Sequence, residues 1–190
     1  MRIITGRAKG IKLKTLEGEN TRPTAERVKE AVFSMLQFDI EGRSVLDLFA
    51  GSGQMALEAL SRGASSAVLV DKSKDAIAIV KDNAQKTKLD GHCQIYCADY
   101  LDFLKRINGK SFDIIFLDPP YALNMYKPAL RSLLDNRLLK PSSIVVCESA
   151  DSSVFEKDEE LMSNFTVEKQ TKYGNTLITI FRVAQQENLS

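Results

Sequence analysis

Phe112-Asp113-Ile114-Ile115-Phe116-Leu117 is apolar at five of its six positions, and it is followed at once by Asp118, Pro119 and Pro120. A run this continuous does not alternate, so it reads as a strand covered on both faces. Strands of that kind belong to α/β sheets, in which helices cover both sides. Neither proline can donate to a sheet ladder, so pairing stops at the carboxyl end of this strand. In open α/β sheets, ligands bind at that end. A carboxylate (Asp118), proline carbonyls with no competing N–H (Pro119, Pro120) and an aromatic face (Tyr121) therefore converge where a flat, amine-bearing molecule can be held.

A second apolar strand, Ser44–Phe49, leads into Ala50-Gly51-Ser52-Gly53 and a helical pattern from Gln54 to Arg62, closed by Gly63 as a left-handed cap. Strand, glycine loop and helix let the backbone approach a ligand closely. Gly51 to Ala56 satisfies the G-x-G-x-x-A dinucleotide fingerprint, a weak match by itself. Asp47 argues against a pyrophosphate, which its carboxylate would repel, and for a cationic amino-acid head group. The next strand, Ala67–Val70, ends in Asp71, an acid able to accept both ribose hydroxyls of an adenosine. A third, Gln94–Cys97, leads to Asp99 and Tyr100. Asp99 can accept from an adenine amino group, with Tyr100 against the ring, or cap the helical stripe Tyr100, Phe103, Leu104, Ile107. The cofactor-binding set is thus Asp47, Phe49, Ala50, Gly51, Ser52, Gly53, Asp71, Lys72, Asp99, Tyr100 and Asp118.

The N-terminus differs in charge. Residues 1–29 hold eight Lys/Arg against three acids, whereas the whole chain holds 26 against 25. A segment of about +5 on a body of about −4 is the electrostatic footprint of a nucleic-acid-facing extension. Residues 2–6 and 11–15 alternate apolar and basic side chains around a turn with Gly6 and Gly10, predicting a hairpin whose apolar face packs on the body. Thr21-Arg22-Pro23-Thr24 then leads into a helix from Ala25 to about Leu36, with Thr24 as N-cap and Val28, Val32, Met35 and Leu36 inward. The expected nucleic-acid contacts are Arg2, Arg7, Lys9, Lys12, Arg22, Arg27 and Tyr121. Further helices are predicted at Lys74–Lys86 and Met125–Leu139, a helix start in Glu156–Glu160, a strand at Ser143–Cys147, and a closing antiparallel pair at Phe165–Lys169 and Thr176–Arg182.

At 190 residues this predicts a single domain: an extension over 1–40, a core over 41–183 and a frayed tail over 184–190. Apolar runs are strand-length, so neither a signal peptide nor a membrane segment is expected, which points to the cytoplasm. Cys93, Cys97 and Cys147 are odd in number and lie in or beside strands, expected reduced and mostly buried. One histidine, His92, beside Cys93 does not supply the ligands of a zinc site, so no metal is expected.

Asp118-Pro119-Pro120-Tyr121 resembles the motif of S-adenosylmethionine-dependent amino-methyltransferases, and the ordered set Asp47, Gly51, Gly53, Asp71, Asp99 resembles class I methyltransferases. With Arg2-Ile3-Ile4, Thr21-Arg22-Pro23-Thr24, Arg27-Val28-Lys29-Glu30, Glu58-Ala59-Leu60-Ser61-Arg62-Gly63-Ala64 and Tyr173-Gly174-Asn175-Thr176, residues 2–182 resemble the RsmD family. Gln54-Met55-Ala56 depart from its small or apolar residues and glycine, and Asp71 stands where glutamate is commoner. The resemblance implies a seven-stranded, mostly parallel, Rossmann-like sheet with helices on both faces, plus the N-terminal hairpin and helix. It implies a bacterial monomer that uses S-adenosylmethionine, releasing S-adenosylhomocysteine, to methylate the N2 amine of one guanine in 16S ribosomal RNA, within a small-subunit particle. The implied catalytic residues are Asp118, Pro119, Pro120 and Tyr121. The residues alone leave adenine N6 as the target open, as they do a non-catalytic RNA-binding assembly factor of the same fold.

Overall fold

A computed structural model describes residues 1–16, 23–120, 125–155 and 158–184, with residues 23–25 known by backbone only. Its elements in chain order are α1 (Pro23–Met35), β1 (Ser44–Asp47), α2 (Gln54–Ser61), β2 (Ser66–Asp71), α3 (Lys74–Thr87), β3 (Cys93–Cys97), α4 (Tyr100–Arg106), β4 (Phe112–Leu117), α5 (Tyr126–Asp135), β5 (Leu139–Ser149), α6 (Glu159–Met162), β6 (Phe165–Tyr173) and β7 (Thr176–Val183). The strands form one sheet in the order β3-β2-β1-β4-β5-β7-β6. The first five are parallel to one another, and β7 enters antiparallel between β5 and β6.

All six residues of β4 are buried, Asp113 among them as a partner of Arg43 and Lys140. Alternation sends Ile114 and Phe116 to one face, with α1, α2 and α3, and Ile115 and Leu117 to the other, with α4, α5 and α6; a register irregularity between Phe112 and Ile114 puts Phe112 on that second face as well. Chain order reverses between β1 and β4: β2 and β3 follow on one side, β5 on the other. That reversal is the topological switch point at which such sheets open a crevice.

Several boundaries depart from expectation. α1 starts at Pro23, so Thr24 falls in the first turn instead of capping it; proline's fixed φ and missing N–H suit that position. α5 stops at Asp135, and Arg137 adopts φ 54, so the chain turns and Leu139 already begins β5. The apolar stripe from Leu130 to Leu139 hides that break because Leu138 and Leu139 suit either element. Cys97 is exposed on the edge strand β3, contrary to the expected burial, while Cys147 is buried.

The N-terminal hairpin is minimal. One antiparallel bridge joins Arg2 and Lys12, with Ile3, Ala8 and Leu13 buried against the body. Its docking partner is α2. Ser61 Oγ donates to the Thr5 carbonyl at 2.6 Å and accepts from Ala8 N at 3.0 Å, and Arg7 N donates to the Ser61 carbonyl at 2.9 Å. Gly6, at φ 84, passes so near that a Cβ would sit 1.8 Å from the Ser61 carbonyl oxygen. Glu58, fully buried, accepts from Ile4 N at 2.7 Å, Thr5 N at 3.0 Å and Arg62 Nε at 2.8 Å, and pairs with Lys29 Nζ at 3.4 Å. Lys29 is itself buried, so one of the eight cations ascribed to a basic surface is a core charge instead.

Candidate active site

One cavity of about 530 Å³ runs along the carboxyl edge of the sheet and follows its strand order. From the β3 end it is lined by Asp99 and Tyr100, then by Asp71 and Lys72 after β2, then by the loop Asp47–Ser52 after β1. Beyond the switch point it continues with Asp118, Pro119 and Pro120 after β4, Glu148 on β5 and Ile178 on β7. Met1, Val28, Lys29 and Val32 close it from the side of the hairpin and α1. The acid-proline corner and the glycine loop thus open into the same space.

Local bonds shape the loop. Ala50 N donates to the Val70 carbonyl at 3.0 Å and Gly53 N to the Ala50 carbonyl at 2.6 Å. Gly53 does not line the cavity. It caps α2 at φ 77, and a Cβ there would lie 3.2 Å from Leu69 Cδ2, so it serves close packing of the loop on β2. Asp71 does more than was expected of it: Oδ2 accepts from Gly51 N at 2.9 Å and Oδ1 from Ser73 N at 2.8 Å. Each oxygen keeps a second lone pair, so the short side chain pins the loop and still presents an acceptor to the cavity. Buried Asn83, which sequence reasoning missed, bridges the Ser52 carbonyl at 2.9 Å and the Lys14 carbonyl at 3.0 Å, tying the loop to the hairpin.

Asp47 is the most informative group. It is 3% exposed, and its Oδ2 has no hydrogen-bond partner among the described residues. Burial raises its carboxyl to about 7, against backbone hydrogen bonds from Ala56 and Phe49 that lower it, while the nearby Asp71 charge raises it further. A buried carboxylate oxygen without a donor is costly. An ammonium in the cavity would satisfy it, so the residues present fit the cationic head group of an amino-acid-bearing cofactor.

Asp99 is the N-cap of α4, its Oδ1 accepting from Leu101 N at 2.9 Å and Asp102 N at 3.3 Å, and the exposed residue also lines the cavity. Phe49 and Tyr100 stand with ring centroids 5.1 Å apart beside it, an aromatic wall for a flat ring. Tyr121 and Arg22 lie outside the described residues. Arg2, Arg7, Lys9, Lys12 and Arg27 are all exposed; Arg2 approaches Glu26 at 3.9 Å. Among the described residues no cluster of His, Cys, Asp and Glu could hold a metal ion, and no helix is long and apolar enough to cross a membrane.

Comparison with known proteins agrees with this architecture. The family model described as "Conserved hypothetical protein 95" matches residues 1–182. Ribosomal RNA small subunit methyltransferase D of Haemophilus influenzae is 37% identical over 178 residues, covering 92% of this chain and 89% of that protein. Its namesake in Escherichia coli is 33% identical, covering 78% of this chain and 74% of that protein. The solved structure of yhhF from Escherichia coli superposes with a TM-score of 0.84 at 28% identity, covering 98% of this chain and 99% of that one. SMU.776, solved in complex with S-adenosylhomocysteine, shares the fold at 21% identity with a TM-score of 0.69, covering 82% of this chain and 49% of that one. With a family match over nearly its whole length and a sheet of the class I methyltransferase order, this chain belongs to the RsmD family.

Proposed function

We propose that this protein is an S-adenosylmethionine-dependent methyltransferase acting on the exocyclic N2 amine of a guanine in small-subunit (16S) ribosomal RNA. The observation that carries this reading is the single cavity shared by the glycine loop, with its partnerless Asp47 oxygen, and the Asp118-Pro119-Pro120 corner. The names of the relatives support ribosomal RNA of the small subunit, the two ends of the cavity support transfer of a methyl group to an exocyclic amine, and the family resemblance supports guanine N2.

When bound, the cofactor supplies an electrophilic methyl group on a sulfonium. Asp47 would hold its ammonium, Asp71 would accept from its ribose, and Asp99, with the Phe49–Tyr100 wall, would receive its adenine. At the other end, Asp118 and the Pro119 carbonyl accept from the two N–H bonds of the guanine amine. That orientation matters because the amine lone pair is delocalised into the ring; drawing the N–H bonds into the acceptor plane turns lone-pair density toward the methyl. The proton that the amine loses on methylation would pass to Asp118 or to water. The base must be extruded from its stack to reach this depth, with Tyr121 available to stack on it.

Asp118→Asn separates chemistry from binding. With labelled methyl donor and 16S ribosomal RNA in small-subunit particles lacking this modification, wild-type protein should yield N2-methylguanosine after digestion to nucleosides. The variant should lose at least about a hundredfold in turnover, the usual scale for one positioned acid–base group. Its affinity for S-adenosylhomocysteine, measured calorimetrically, should stay within about threefold, a few tenths of the energy of one hydrogen bond. Wild-type turnover in Asp118→Asn would remove that carboxylate from the reaction.

A further inference from the structure

The substrate half of the cavity holds a second carboxylate to which the proposed chemistry gives no task. Leu117 on β4 pairs with Cys147 on β5, so Asp118 and Glu148 are the next residues in the same register. Both line the cavity. Alternation puts Glu148 on the face of its neighbour but one, Val146, which is packed with Phe116, Val28 and Val32, and not on the Cys147 face. Its backbone is fixed from two directions: β7 pairs it with Ile178, and the buried Tyr126 hydroxyl donates to its carbonyl. Val28, Val32, Phe116, Val146 and Ile178 surround this end with apolar surface, a slot for the faces of a flat ring.

Two register-matched carboxylates at the end of an apolar slot present acceptors side by side. Guanine offers donors side by side on its Watson–Crick edge, N1–H next to the N2 amine. Adenine offers a donor, its N6 amine, next to a bare acceptor at N1. With its amine at Asp118, adenine would turn the N1 lone pair toward a carboxylate, whereas guanine would turn a proton there. Resting on the methyltransferase reading above, we propose that Glu148 is the residue that selects guanine over adenine, by accepting from guanine N1–H while Asp118 receives the amine. A site built to hydrogen-bond one edge rejects the analogue that leaves a buried polar group unmatched.

The test uses the full chain with Glu148→Gln and Glu148→Ala. The probes are S-adenosylhomocysteine for calorimetry, and unmodified 16S ribosomal RNA, free and in small-subunit particles, for methyl transfer read as nucleosides. The expected result is a fall of about tenfold or more in kcat/KM for N2-methylguanosine in both variants. S-adenosylhomocysteine affinity should stay within about twofold, less than one hydrogen bond is worth. Glu148→Gln, near-isosteric and carrying a donor beside an acceptor, should also raise the share of N6-methyladenosine. Unchanged kcat/KM in both variants would overturn the proposal, as would a loss of S-adenosylhomocysteine affinity parallel to the loss of rate, which would place Glu148 in the cofactor half. Wild-type protein that binds S-adenosylhomocysteine but forms only N6-methyladenosine would overturn the guanine assignment and this inference with it. Wild-type protein that binds S-adenosylhomocysteine but methylates neither base would refute the substrate reading itself, whatever the variants do.

Discussion

Asp47 converts a local packing problem into a binding property. Its carboxyl, raised to about 7 by burial, is ionised only in part at neutral pH while its Oδ2 has no donor. In the folded, ligand-free protein the acid form is favoured relative to the unfolded chain, so this residue costs stability progressively as pH rises from about 4 toward 7. An ammonium at Oδ2 reverses the preference, because it binds the ionised form. Affinity for S-adenosylhomocysteine should therefore weaken by up to about tenfold per pH unit below 7, with proton release on binding. Calorimetry in buffers of different ionisation enthalpy measures both. Asp47→Asn should bind at least about tenfold more weakly at pH 8, by loss of a charge-assisted hydrogen bond, and should show no such pH slope. A retained slope in that variant would assign the titration elsewhere.

At the level of elements, the central unit is α2, which starts at the glycine loop and, one turn on, anchors the hairpin through Glu58 and Ser61. Removing one member of a buried ion pair leaves the other uncompensated, so Glu58→Ala should destabilise the fold by roughly 3–5 kcal/mol. Gly6→Ala should unseat the hairpin without touching a charge, since the added Cβ meets the Ser61 carbonyl. Thermal melting should register both, and limited proteolysis should cut first within residues 2–16. Resistance of Gly6→Ala to such cleavage would show that the close approach is not what holds the hairpin. The sequence showed that the hairpin packs on the body but not through what: Lys29 counted only toward the basic extension and Glu58 only toward a family motif, because pattern and composition carry no sign of pairing across 29 residues. The strands were legible for the opposite reason. β1, β2 and β4 are mostly apolar runs closed by Asp47, Asp71 and Asp118, so local composition and burial on both faces agree. The cavity's acids could be named because each stands at such a strand end. Asn83 and the bond from Gly51 to Asp71 depend on contacts between distant segments, and Glu148, one residue past the predicted strand Ser143–Cys147, was given no role.

Across the whole molecule, charge is divided between what stabilises and what remains for a partner. Lys29 is buried against Glu58, Lys14 pairs with Asp82, and Arg2 lies near Glu26. Arg7, Lys9, Lys12 and Arg27 are exposed and make no ion pair with another described residue. They sit on the hairpin and α1, the elements that close the cavity on its substrate side through Met1, Val28 and Val32. A phosphate backbone held there would carry a base toward the Asp118 corner, and each neutralised phosphate would release counterions. Replacing these four cations with Gln should weaken binding to 16S ribosomal RNA and flatten its dependence on salt. Each lost phosphate contact should reduce the slope of log Kd against log salt by roughly 0.7–0.9. S-adenosylhomocysteine affinity should not change, because none of the four lines the cavity. If the slope survives the substitutions, the hairpin is a cover for the cavity wall, and the RNA must approach over another face.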